Sequence, residues 1–288
     1  METIKGTDSI YRISQKLRQE GHTIGLVPTM GYLHDGHVSL IRKSIKDCTR
    51  TVVSIFVNPA QFGPKEDLKK YPRDLQRDIR ILKETGADYV FVPETDDMYS
   101  RDHKTGIKVK GLEKIMCGKF RPHHFSGVCT VVLKLFNLVC PHRAYFGEKD
   151  YQQLVIIKQM AADLNIPVKI KGCPIVRESD GLALSSRNSY LTCEERKNAT
   201  VLFENLLKAA GMLKRENLGL REIKAIIMKN ILSNNSVSKV DYFDFRKPEN
   251  LEEIKNLKQF RQESKNGKIL IATAVWIGST RLIDNMVV

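Results

Sequence analysis

An apolar strand that passes through a turn directly into an amphipathic helix constrains this chain more than any other stretch. Thr23-Ile24-Gly25-Leu26-Val27 predicts a short buried strand, and Pro28-Thr29-Met30-Gly31 predicts a turn. Beyond His34-Asp35-Gly36-His37, the residues Val38, Leu40, Ile41 and Ile45 recur at helical spacing, with Arg42, Lys43 and Lys46 between them. A strand-to-helix hand-over is where α/β proteins bind phosphate groups. Unpaired N–H groups and the positive end of the helix dipole face the ligand there. Gly36 lets a backbone come close, and His34 and His37 are expected to add two side-chain donors from adjacent turns. The competing reading is a pair of histidines at a helix start with no ligand.

The same alternation continues along the chain. Ser9 to Gln19 predicts a helix, Thr51 to Val57 a buried parallel strand stopped by Asn58-Pro59, and Leu75 to Lys83 a helix closing at Gly86. Asp88 to Val92 predicts another strand. Then come a largely buried helix over Gly127 to Val139, a strand over Arg143 to Phe146, a helix over Tyr151 to Leu164 and a strand over Val168 to Lys171. The fold class that follows is α/β, a doubly wound (Rossmann-like) parallel sheet. The pattern changes near Cys173-Pro174. Thr192 and Glu195 have capping-box spacing and open a long helix reaching about Lys214. A helix over Leu220 to Leu232 and strands over Lys239 to Phe245 and Ile269 to Ile277 complete a smaller C-terminal α+β domain. The expected division is 1–175 and 176–288.

Composition narrows the function classes. No apolar run reaches the ~20 residues that span a bilayer, and no apolar core follows Met1-Glu2-Thr3-Ile4-Lys5, so no membrane or secretory role is expected. Six cysteines lie scattered without a Cys-x-x-Cys pair, which disfavours a zinc knuckle and fits a reducing, cytoplasmic setting. The net charge of +14 is carried by dispersed lysines without a basic block or basic–aromatic platform. It suits an anionic substrate, and no nucleic-acid partner is expected.

Further segments carry candidate chemistry. Asn58 and Gln61 follow the second strand, where ligands of doubly wound sheets bind, and their amides can donate without titrating. Gly147-Glu148-Lys149-Asp150 again joins a strand to a helix: Gly147 permits close approach, Lys149 offers a charge to phosphate, and Asp150 an acceptor to a ribose hydroxyl. Gln153 lies one turn into that helix. Leu184-Ser185-Ser186-Arg187-Asn188 sets two hydroxyls beside a guanidinium, the chemistry of a phosphate clamp. Each of these stretches also reads as an ordinary polar turn. His123 and His124 are adjacent and have no nearby third ligand, so a metal role is not expected.

Taken together, Pro28 to His37, Phe56 to Gly63, Phe146 to Gln153 and Leu184 to Asn188 resemble, in order and spacing, the pantothenate synthetase (pantoate–β-alanine ligase) family of the nucleotidyltransferase superfamily with its His-x-Gly-His signature. The resemblance runs nearly the whole length of the chain. It implies an ATP- and Mg2+-dependent condensation of pantoate with β-alanine through pantoyl adenylate, in a cytoplasmic homodimer whose C-terminal domain covers the active site. It assigns His37, His34, Lys149 and Arg187 to catalysis. ATP binding falls to Met30, Gly31, Tyr32, Leu33, His34, Asp35, Gly36, His37, Gly147, Glu148, Lys149, Asp150, Val176, Leu184, Ser185, Ser186 and Arg187. Pantoate and β-alanine fall to Gln61, Gln153, Asn58, Arg121 and His124. The metal ligands stay unknown, with Asp78 a possible magnesium neighbour.

The chain departs from the family pattern at His123 and Ser126, which bear on the stiffness and charge of the 118–126 loop. Tyr32, Asp35 and Leu184 replace commoner residues at tolerant positions. Two other functions stay open on the sequence: a nucleotidyltransferase whose product keeps the nucleotide, against which Gln61 and Gln153 argue, and an RNA-binding protein prompted by the positive charge.

Overall fold

Parallel strand pairing in the first part of the chain gives way to antiparallel pairing in the second. A computed structural model describes residues 1–64, 66–215, 218–264 and 267–288. Unit 1 comprises Met1–Glu148 and Ile156–Val176; unit 2 comprises Lys149–Val155 and Arg177–Val288.

Unit 1 is built on a six-stranded parallel sheet of β1 (Glu2–Ile4), β2 (Ile24–Thr29), β3 (Arg50–Ile55), β4 (Tyr89–Phe91), β5 (Arg143–Gly147) and β6 (Lys169–Cys173), in the order β1-β4-β3-β2-β5-β6. The chain steps from β2 outward to β3 and β4, then returns to lay β5 on the other side of β2. The β2/β5 border is therefore the topological switch point, where such sheets hold ligands beyond the strand C-termini. The helices of unit 1 are α1 (Thr7–Gln19), α2 (Asp35–Asp47), α3 (Leu75–Thr85), the short α4 (Thr95–Met98) and α5 (Cys117–Phe120), α6 (His124–Val139) and the part of α7 (Tyr151–Asp163) from Ile156 onward. Val27, Val53, Val90 and Tyr145 pack with α2 and α3 through Leu40, Ile41 and Leu82. Their strand neighbours Leu26, Val52, Phe91 and Ala144 are equally buried, so both faces of the sheet are covered at its central strands β2 to β5.

Unit 2 carries an antiparallel meander of β7 (Val237–Arg246), β8 (Leu270–Ile277) and β9 (Thr280–Val287). The short α8 (Cys193–Asn198), α9 (Val201–Lys214), α10 (Leu220–Leu232) and α11 (Leu257–Glu263) accompany it. Leu202, Leu206, Ile223 and Ile227 meet Phe243, Ile271 and Val275 in its core.

Several expectations are corrected. β2 runs on through Pro28 and Thr29 rather than turning there. Thr23 and Thr29 carbonyls bond toward β3 and the Ile24 carbonyl toward His142 beside β5, so the nitrogen of Pro28 faces the β5 side. Pairing with β5 has ended at Leu26, and the missing N–H costs no ladder bond. Ile45 is 37% exposed, and Ser44 takes the buried position, its hydroxyl 2.8 Å from that of Thr51. The Thr192–Glu195 capping box forms, but the helix it opens ends at Asn198. The Thr200 hydroxyl bonds the Lys197 carbonyl and Leu202 N–H reaches back three residues to Ala199, making a tight joint before α9. β9 is an addition to the expected strands. Gly278-Ser279 after an apolar strand is a hairpin signal, but Asp284-Asn285 masks the alternation that follows.

Candidate active site

The loop after β2 is held from beneath. Gly31 has φ +79° and Tyr32 φ +50°, and a side chain at Gly31 would come within 3.0 Å of both Asp78 Oδ2 and Ile55 Cγ2. Asp78, buried on α3, accepts the N–H groups of Tyr32 and Leu33, each at 2.7 Å. These two bonds stabilise a left-handed backbone that tyrosine ordinarily avoids. Burial pushes the Asp78 carboxyl above its usual range while the two N–H donors pull the other way. Both its oxygens serve the loop, a role that sequence reasoning does not give it.

His34 and His37 sit closer than two helix turns. His34 is the N-cap of α2 and His37 lies in the same first turn. Gly36 N–H donates to His34 Nδ1 at 3.2 Å, and His34 N–H donates to His37 Nδ1 at 3.3 Å, a reciprocal box made by two imidazoles. The ring centroids are 4.0 Å apart. Since each Nδ1 accepts a backbone proton, the neutral rings carry their own hydrogen on Nε2. Asp35 is exposed at the first turn, and Gly36 is half-buried.

Met30 links this loop to the next. Gln61 Nε2 lies 3.0 Å from Met30 Sδ, and Gln61 Oε1 accepts from Asn58 Nδ2 at 3.1 Å. Asn58 also donates to the Gly127 carbonyl at 3.1 Å and accepts from Ala60 N–H. Its amide is therefore engaged within the fold, behind Gln61. His124 Nδ1 lies 2.8 Å from the Gln61 carbonyl and Arg121 Nη1 lies 3.1 Å from His124 Nε2. Arg121 cannot accept, so its proton goes to Nε2 and Nδ1–H donates to Gln61. Arg121 in turn forks onto Glu66, with Nε 2.9 Å from Oε1. The guanidinium holds the Glu66 carboxyl below its usual range against the opposing effect of burial. Gly127 makes this packing possible: a Cβ there would lie 2.2 Å from the Ala60 carbonyl oxygen. Sequence reasoning misses both Glu66 and Gly127, because their partners lie far away along the chain. Gly147 ends β5, across the switch point from Met30, and Glu148 follows it; Val176 closes the irregular segment after β6.

In unit 2, Lys149 and Asp150 precede α7, with Lys149 Nζ 3.0 Å from Asp150 Oδ2, and Gln153 is half-buried on the first turn. Leu184 and Ser185 lead into a 3-10 turn, Ser186–Tyr190; Ser185 Oγ caps it by accepting Arg187 N–H at 3.3 Å. Ser186 is buried and Arg187 partly so. Arg177 forks onto the buried Asp284 at 2.7 and 2.9 Å and lies over the Phe203 ring, 4.2 Å from its centroid.

The family model described as pantoate-beta-alanine ligase matches residues 2–287. The chain belongs to the pantoate–β-alanine ligase family. A pantothenate synthetase from Caldicellulosiruptor saccharolyticus is 52% identical over 276 residues, covering 96% of this chain and 95% of that protein. The crystal structure of the Thermus thermophilus pantothenate synthetase matches with a TM-score of 0.90 and 41% identity over 99% of both chains. The Francisella tularensis ligase, whose crystal structure is described as complexed with beta-gamma ATP and beta-alanine, matches with a TM-score of 0.78 and 36% identity over 99% of this chain and 97% of that one. This ligase thus condenses pantoate with β-alanine at the expense of ATP. Among its described residues no helix is long and apolar enough to cross a membrane.

Proposed function

We propose that the ligase works through an acyl adenylate, with the loop after β2 as its nucleotide end. A pantoate carboxylate oxygen attacks the α-phosphorus of ATP, and the bond to pyrophosphate breaks. The β-alanine amine then attacks the acyl carbon, loses a proton, and AMP leaves with the carboxylate oxygen. The observation that carries this reading is the imidazole box. With both Nδ1 atoms accepting backbone N–H groups, His34 and His37 carry Nε2–H donors at a helix N-terminus, suited to charge developing on the phosphates.

The remaining roles follow from chemistry. Met30 to His37 and Gly147 to Asp150 line the nucleotide, and the Val176 backbone meets adenine. Lys149 and Arg187, with Ser185 and Ser186, neutralise the phosphates, and Leu184 supports that turn. Gln61 and Gln153 hold pantoate, with Gln61 also near β-alanine. Asn58, Arg121 and His124 support the Gln61 side of the site through the hydrogen bonds described above. Magnesium enters with ATP as MgATP. Among the described residues no three His, Cys, Asp or Glu side chains gather into a metal cage. That suits an ion that keeps most of its waters and is held by substrate phosphates. The resemblance further implies a cytoplasmic homodimer.

The test is pyrophosphate release from MgATP with pantoate, with and without β-alanine. Single-turnover release with pantoate alone, becoming multiple-turnover on adding β-alanine, is the expected outcome. Release that requires β-alanine even for the first turnover would overturn the adenylate.

A further inference from the structure

Lys149, read above as a phosphate cation, is fixed by the main chain of a short 3-10 turn, Glu148–Asp150. The Lys149 carbonyl accepts a hydrogen bond from Asn285 Nδ2 at 2.9 Å. Asn285 lies on β9, at 4% exposure, and its own backbone is held on two sides. Its N–H donates to Asp284 Oδ1 at 2.7 Å, and its carbonyl accepts from Arg177 Nη2 at 3.2 Å. The same two side chains form the buried bidentate pair. Arg177 also donates to the Gly181 carbonyl at 2.9 Å and stacks on Phe203. Phe203 in turn occupies the space beside Gly181 where a Cβ would stand 2.1 Å from the ring. Each step restricts the next: the stacked guanidinium orients Asp284, both fix the Asn285 peptide, and the amide side chain reaches the Lys149 carbonyl.

We infer that Asn285 is a positioning residue for Lys149, setting the turn from which the ammonium group meets the nucleotide phosphates. This rests on the reading of Lys149 given above. The bond goes to the backbone of residue 149 and survives removal of the lysine side chain. Any effect transmitted through the ammonium group must then vanish when that side chain is gone.

The experiment is a double-mutant cycle on the full chain, with Asn285→Ala and Lys149→Ala alone and together. ATP affinity is read by calorimetry, and adenylation by pantoate-dependent pyrophosphate release. Asn285→Ala is expected to slow adenylation about 10- to 100-fold, as for a small misplacement of a reacting group. In the Lys149→Ala background it should change neither adenylation nor ATP affinity by more than about two-fold. Asn285→Asp keeps the size, removes the donor and should behave like the alanine variant; it carries the test if Asn285→Ala does not fold. An undiminished Asn285 effect in the Lys149→Ala background overturns the positioning role while leaving Lys149 as a phosphate ligand. So does an Asn285→Asp enzyme with wild-type adenylation. Wild-type adenylation and affinity in Lys149→Ala alone instead overturn the reading of Lys149, and the inference with it.

Discussion

Two demands meet in the imidazole of His37: one nitrogen closes the start of α2, and the other carries a proton suited to the nucleotide. Alanine at this position removes both a backbone acceptor and a donor to developing charge. His37→Ala is expected to lower pantoate-dependent pyrophosphate formation by ~10²-fold or more, the usual loss for a transition-state donor. Unchanged release in that variant would remove His37 from the reaction. The residues of this turn were legible in the sequence because their signals are local: a glycine, two histidines and a helix start within a few positions. What holds the turn was not. Asp78 acts across 46 residues, and nothing in its own neighbourhood distinguishes it from a carboxylate in an ordinary amphipathic helix. The reciprocal Nδ1 bonds were likewise hidden, since a histidine N-cap is uncommon beside Ser, Thr, Asp and Asn.

Helix α6 and the 3-10 turn Pro59–Gln61 touch backbone to backbone at Gly127, and that closeness fixes Asn58 and, through it, Gln61. Gly127→Ala must push the turn away, because the new methyl would meet a carbonyl and not a flexible side chain. A loss of about 1–3 kcal/mol in denaturant unfolding is expected, the usual cost of overpacking. A rise in the pantoate KM that exceeds any rise for ATP should accompany it. A fully stable variant with unchanged pantoate KM would separate this contact from the substrate. At this scale most elements were readable from apolar periodicity, to within a few residues. α6 begins one turn before Gly127 because His123, at φ +70°, reverses the chain just ahead of it. Such a reversal at a non-glycine residue leaves no compositional mark. β1, with only three residues, is too short for any periodicity to register.

Stability of the whole chain should depend on His142, which ties β2 to the segment before β5. Its Nδ1 accepts Ile24 N–H at 3.0 Å, its N–H donates to the Ile24 carbonyl, and its carbonyl accepts from Lys169. Burial, with Arg18 and Arg143 nearby, lowers the imidazole below its ordinary 6.5. The unfolded chain therefore takes up the proton first. The stabilising contribution is complete above about pH 6.5 and is lost as pH falls through the folded-state value. The unfolding midpoint should drop between about pH 7.5 and pH 5 more steeply than in His142→Gln; parallel curves would show that other groups govern the decline. The architecture itself, a parallel α/β sheet followed by an α+β unit, was legible because strands and helices alternate and then cease to. The ion pair of Arg177 and Asp284 was not, for each is an unremarkable charge in sequence. That pair has a consequence for self-association. Ile269 to Ile277 contains no charge and is rich in β-branched residues, the composition of a cross-β stack. The fold places it in the centre of the meander. On one flank β7 breaks register at Val237/Lys239 and Val240/Tyr242. On the other, the guanidinium and carboxylate occupy the very N–H and C=O that a foreign strand would need at Asn285. The pair thus removes one position of the β9 edge from strand addition, while β7 and β9 themselves cover Ile269 to Ile277.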